Sequence, residues 1–227
     1  KDSVLHETLL STYELMSLRF DYTPIQEKVV ETDSMLLPPK SFEEIVGHSG
    51  GAIGADSKFG EIAEEFGIQK FMHYYYGSKT PNGNYRLTEE QYKEGLEKAK
   101  IAARRLGKNT PGVEWKKHLI GRNWMQVKPS SQIIAIAPIS DNFKIVEGGT
   151  GWAVAMAQDE GDRQIDVFNT KDNQWYRWNG NQFIKSNIPA LHKNFAGIGS
   201  RQEKGKMTPE SIQAIRDVFE KSAKRMN

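Results

Sequence analysis

Apolar residues along this chain switch repeatedly between two spacings, and the switches lay out a series of strands and helices. Glu44-Ile45-Val46-Gly47-His48 reads as a short strand, and after Ser49-Gly50-Gly51 the residues Phe59, Ile62, Ala63 and Phe66 fall at i, i+3, i+4 and i+7 with Gly67 placed to end a helix. Lys70 to Tyr75 forms a second strand. Thr88 and Gln91 make a capping box that opens a long helix through Tyr92, Leu96, Ala99 and Leu106 to Gly107. A further helix is expected around His118 to Val127. Gln132 to Ala137 is almost continuously apolar, as a strand covered on both faces should be. Gly148-Gly149-Thr150-Gly151 then leads into a helical run from Trp152 to Ala157, and Ile165 to Phe168 is the next strand. Gln174 to Trp178 and Gln182 to Ile184 flank Asn179-Gly180, the dipeptide most favoured in a tight hairpin turn. Asn194 to Ile198 is a last strand running into Gly199-Ser200-Arg201, and Thr208-Pro209 opens a terminal helix through Ile212, Ile215, Val218 and Phe219. Strands alternating with helices predict an α/β protein whose sheet is mostly parallel and covered on both faces.

The first forty residues break this pattern. Leu9, Leu10, Tyr13, Leu15 and Met16 are spaced for one amphipathic helix, and Tyr22-Thr23-Pro24 and Leu37-Pro38-Pro39-Lys40 punctuate the chain beyond it. Residues 1–40 are read as an N-terminal arm and 41–227 as the domain proper. The arm either packs on the domain's flank or serves a homo-oligomer or a neighbouring domain. With Lys1 in place of methionine, the chain reads as one cut from a larger protein.

Composition narrows the function. Lys and Arg number 31 against 29 Asp and Glu, for a net charge of +2, which argues against a nucleic-acid surface as the main feature. There is no cysteine, so disulfides, thiolate metal sites and cysteine nucleophiles are all excluded. The histidines do not fall at metal-ligand spacing, and no metal is expected. Mean hydropathy is −0.64, and no apolar run reaches bilayer length or resembles a signal peptide, so a cytoplasmic protein without a membrane span is expected.

Three glycine-bearing turns hand the chain over toward helices: Ser49 to Asp56, Gly148 to Gly151, and Gly197 to Arg201. In an open parallel sheet such turns gather at the carboxyl ends of the strands, where ligands bind beside a topological switch point. Glycine lets the backbone approach a phosphate, and the N–H groups of a helix's first turn supply donors and partial positive charge.

Ser49-Gly50-Gly51-Ala52-x-Gly54-Ala55-Asp56-x-x-Phe59, Gly148-Gly149-Thr150-Gly151 and Phe195-Ala196-Gly197-Ile198-Gly199-Ser200-Arg201 together resemble the SLOG superfamily, which includes YpsA-like proteins, Lonely Guy phosphoribohydrolases and the DNA-processing protein A group. The resemblance covers roughly Glu43 to Arg225. In YpsA-like members the Gly-Ile-Gly-Ser-Arg turn comes first, whereas here it lies near the C-terminus, so the chain looks like a circularly permuted YpsA-like domain. The resemblance implies a Rossmann-like fold that binds a nucleotide or nucleotide-derived ligand such as AMP, ADP-ribose or NAD and needs no other cofactor, and the β-hairpin read around Asn179-Gly180 is an insertion in it. Superfamily members serve signalling, defence against mobile elements and the phage side of that contest, and no residue here selects among these settings.

In Lonely Guy enzymes the second glycine turn carries a catalytic glutamate. Aligned on the glycines, this chain has Ala155 there, and alanine can neither activate water nor stabilise an oxocarbenium charge. Arg122, followed by Asn123, falls about where the family's assisting arginine stands. The ligand-binding candidates are therefore Ser49, Gly50, Gly51, Gly54, Asp56, Arg122, Asn123, Gly148, Gly149, Thr150, Gly151, Trp152, Gly197, Gly199, Ser200 and Arg201. Asp56 and Glu147 are the candidate substitute acids if the chain hydrolyses an N-glycosidic bond. Asp56 could equally cap its helix, and Glu147 could be an ordinary loop acid. Trp152 could stack on a base or wall the pocket. Trp175, Tyr176 and Trp178 either pack the hairpin on the domain or offer a stacking platform for single-stranded nucleic acid, the third functional alternative.

Overall fold

The computed structural model describes residues 39–199 and 207–226. The helix expected in the N-terminal arm and the candidates Ser200 and Arg201 lie outside the described residues. Eight strands form one sheet in the order β3-β2-β1-β8-β4-β5-β6-β7, where β1 is Val46–Ser49, β2 Lys70–Tyr75, β3 Tyr85–Arg86, β4 Gln132–Ala137, β5 Gln164–Asn169, β6 Gln174–Trp178, β7 Phe183–Lys185 and β8 Asn194–Gly199. The pairings from β3 across to β5 are parallel, and β6 and β7 add an antiparallel hairpin at one edge. The fold is a Rossmann-like α/β sheet. Its last strand, β8, lies in the middle, between β1 and β4.

Six α-helices cover the sheet among the described residues: α1 (Ala55–Glu65), α2 (Glu89–Leu106), α3 (Glu114–Gly121), α4 (Asn123–Val127), α5 (Thr150–Glu160) and α6 (Pro209–Met226). The alternation of β4 shows how both faces are filled. Ile134 and Ile136 point into a core shared with Phe59 and Ile62 of α1 and with Ile215, Val218 and Phe219 of α6. Ile133, Ala135 and Ala137 point the other way, toward α2, α4 and α5. A strand apolar at every position after its first, Gln132, needs a covering layer on each side, and burial of the whole of β4 is the result.

Local chemistry explains both ends of α2. Gln91 N–H donates to Thr88 Oγ1 at 3.3 Å while Thr88 N–H donates to Gln91 Oε1 at 3.0 Å, the reciprocal box the spacing predicts. Gly107 closes α2 in the left-handed conformation. The helix expected over His118 to Val127 starts earlier, at Glu114, and is interrupted at Arg122 to give α3 and α4. Its first turn carries exposed Trp115, which leaves no mark in the buried periodicity. The hairpin turn is tight but its centre is shifted: Trp178 pairs with Phe183, Asn179 N–H donates to Gln182 O at 3.1 Å, and Asn179 Oδ1 accepts from the N–H groups of Asn181 and Gln182, so the turn centres on Gly180 and Asn181 rather than on Asn179-Gly180. Trp175 and Tyr176 are buried on opposite faces of the sheet, which accounts for their aromatic character by packing. No described helix is long and apolar enough to cross a membrane.

Candidate functional site

The chain crosses from β1 through α1 to β2 on one side of β8, and from β4 through α5 to β5 on the other. Diverging crossovers leave a crevice at the carboxyl ends of the central strands. Here it is a cleft of about 860 Å³, lined by Ala52 and Asp56 at the start of α1, Gly148 to Thr150 at the start of α5, Ile198 and Gly199 at the end of β8, and Arg122.

The start of α1 is built for close approach. Its N-cap, Gly54, has φ 119°, a conformation open in practice to glycine alone. Ser57 Oγ accepts from Gly54 N–H at 3.2 Å, so the cap is closed from inside the helix. Asp56 therefore does not cap its own helix. Its Oδ1 accepts from Gly199 N–H at 3.1 Å, tying α1 to the end of β8. Burial pushes the Asp56 carboxyl above the usual carboxylate range, against the opposing pull of Arg122 and of backbone N–H groups at Gly199, Ala52 and Gly50.

Arg122 stands between α3 and α4 and is buried. Its Nη1 donates to the carbonyl oxygens of Gly50 and, at 3.0 Å, Tyr74, and its Nη2 lies 3.6 Å from Asp56 Oδ2. Arg122 Nε is shielded and has no partner among the described residues. A Cβ on Gly50 would fall 1.7 Å from Nη1, so the first glycine turn lacks a side chain because the guanidinium occupies its place. The arginine thus clamps the turn after β1 and balances the Asp56 carboxyl.

Other candidates divide into those at the cleft and those supporting it. Asn123 and Trp152 line the cleft, with Asn123 Oδ1 accepting from Gln126 Nε2 at 3.0 Å. Ser49 is buried, and its hydroxyl donates to Asp56 O at 3.3 Å. Gly51 abuts His73 and Thr80. Gly151 is pressed against Val146 O, and Gly197 lies under the Phe59 ring, so both serve packing beside the cleft. Glu147 is outside the lining, half-exposed, and ion-paired with Lys171 at 2.7 Å. Ala155, on α5 itself, is buried in the core and is not part of the cleft lining. His48 bonds Tyr74 Oη through Nδ1 at 3.0 Å, and burial lowers its pKa to about 4, so it is a neutral structural group.

One wall of the cleft lies apart from the glycine turns and holds none of the expected site residues. The loop after α2 and the outer turns of α3 bring Lys108, Pro111, Trp115, Lys116 and Leu119 to the mouth. A tryptophan beside two consecutive lysines, just after the turn-forming Asn109-Thr110-Pro111-Gly112, is the signal that could have marked it. Among the described residues no group of three or more His, Asp or Glu converges as metal ligands would.

Two helix starts, an arginine and a lone buried carboxylate around an apolar-walled cleft can hold a phosphate and orient a polar, ring-bearing body. No family model, curated protein or solved structure matches the chain.

Proposed function

We propose that the chain is a binding domain for a nucleotide or nucleotide-derived ligand, of the SLOG type that its three glycine turns resemble. The observation that carries this is the convergence of the starts of α1 and α5 with Arg122 on one cleft at the switch point. Helix N-termini offer N–H donors and partial positive charge, which suits a phosphate, and the apolar walls suit a base or sugar. Asp56 would accept a hydrogen bond from a sugar hydroxyl at the carboxyl oxygen that faces Arg122, sharing it with the guanidinium.

Binding without hydrolysis is the better-supported form of the proposal. Asp56 is the single acidic side chain among the described lining residues, and it is already engaged by Gly199 and Arg122. A general acid or base must reach the scissile bond with a proton to give or a lone pair to spare, and Glu147 is turned to Lys171 instead. Isothermal titration of the whole chain with AMP, ADP, ADP-ribose and NAD, with chromatography of the recovered ligand, tests both points. Saturable binding of at least one, recovered intact, is expected. Absence of heat with all four refutes the proposal, and release of free base refutes the binding-only form.

A further inference from the structure

The cleft has two ends of different chemistry. At the inner end the charges of Arg122 and Asp56 offset one another, and Arg122 Nη1 is committed to two backbone carbonyls. Beside them is the start of α5, whose positive helix end suits one phosphate group. At the outer end stand Lys108 and Lys116, neither with an ion-pair partner among the described residues. The neighbouring acid, Glu114, is taken by Lys117 and His118.

The same wall carries Trp115, which is 60% exposed, the most exposed large apolar side chain among the described residues. Lys116 Nζ lies 5.5 Å from the centre of its ring. Leu119, one helical turn on, extends the same apolar strip into the cleft. An exposed indole on a cleft wall that also carries two lysines without ion-pair partners among the described residues offers a stacking face for an aromatic ring next to negative charge. Helix-surface tryptophans are ordinarily tucked against a neighbour, and the lysine beside this one gives it a partial cation contact but no cover. The cleft, at about 860 Å³, lies in the upper part of the range of about 300–1,000 Å³ typical of small-molecule sites, so its two ends can be filled together only by an extended ligand.

We infer that Trp115, Lys108 and Lys116 form a clamp for the outer end of a two-ended ligand, a nucleoside joined through a diphosphate, with the base or its counterpart on the indole and the second phosphate between the lysines. This rests on the nucleotide reading of the cleft and adds its ligand class. A lone monophosphate would satisfy the inner end and leave both lysines uncompensated.

Titration calorimetry and tryptophan emission on the whole chain, with AMP against ADP-ribose and NAD as probes, test it. Wild type should bind a diphosphate-bridged probe about tenfold or more tightly than AMP, with an emission change that is smaller in W115F, where Trp152 is the remaining indole at the cleft. W115A and the double variant K108A/K116A should each bring the two affinities to within about threefold. Equal affinity for AMP and the bridged probes in wild type, or a margin that survives both variants, overturns the clamp while leaving the nucleotide reading in place. No binding of any probe overturns both. Trp115 and the two lysines are surface positions, so the variants fold, and far-ultraviolet circular dichroism of each confirms the comparison.

Discussion

Replacing Arg122 by methionine separates the clamp's electrostatic part from its packing. The change keeps a long, buried side chain but leaves the Asp56 carboxyl without its cation and the carbonyls of Gly50 and Tyr74 without their donor. Removing one partner of a buried ion pair costs about 3–5 kcal/mol, and the orphaned carbonyls belong to the same network, so their loss is not added separately. For a domain of this size that corresponds to a fall in Tm of about 6–20 °C, measurable by thermal or urea unfolding. The pH dependence carries the diagnosis. Asp56 already has its folded pKa raised by burial, so it opposes folding increasingly as pH rises from the unfolded carboxylate value through the folded one. Without Arg122 that pKa rises further, and the penalty of R122M should shrink as pH is lowered from neutral through the raised folded value and Asp56 takes up a proton. His73, whose pKa Arg122 also helps to lower, acts in the same direction. Adding D56N to R122M should recover part of the loss by removing the uncompensated charge. A cost below about 1 kcal/mol, a penalty flat across that pH window, or no recovery in the double variant would refute the reasoning.

His48 and His73 are both buried with pKa lowered to about 4, so their contribution to stability is present above the unfolded value near 6.5 and lost as pH falls toward 4. Acid titration of H48Q should show a loss smaller than wild type over that window, by an amount on the order of 3 kcal/mol at full effect. At Gly95 an added Cβ would meet Gly121 O at 1.8 Å, where α2 crosses α3, so G95A forces two helices apart and should cost about 1–3 kcal/mol in urea unfolding. E147A removes only a half-exposed partner of Lys171, so it should change stability by no more than about 0.5 kcal/mol and leave nucleotide affinity at the wild-type value. A large loss of binding in E147A would return Glu147 to the site.

Local signals carried much of the architecture. The capping box at Thr88 and Gln91, the glycine stops at Gly67 and Gly107, and the unbroken apolar run of β4 act through residues close in sequence, where backbone hydrogen bonding and side-chain spacing leave few alternatives. They were legible for that reason. Two-residue β3, the break at Arg122 and the exact centre of the hairpin turn were not, because each depends on partners far along the chain or on a local bond that composition does not reveal.

The site divides in the same way. Sequence alone determined that glycine turns precede helices and that Asp56 and Arg122 are present in plausible company. It could not determine that Arg122, from between α3 and α4, reaches the turn after β1 and fills the space a side chain at Gly50 would need. Nor could it determine that Gly197 and Gly151 serve packing, that Glu147 faces Lys171, or that Trp115 opens onto the cleft. Those outcomes are set by the sheet order, which inserts β8 between β1 and β4 and so decides which turns share a crevice. Spacing along the chain controls which groups fall on one face of an element, whereas burial, charge balance and reach depend on elements brought together across more than a hundred residues, as Gly199 and Asp56 are.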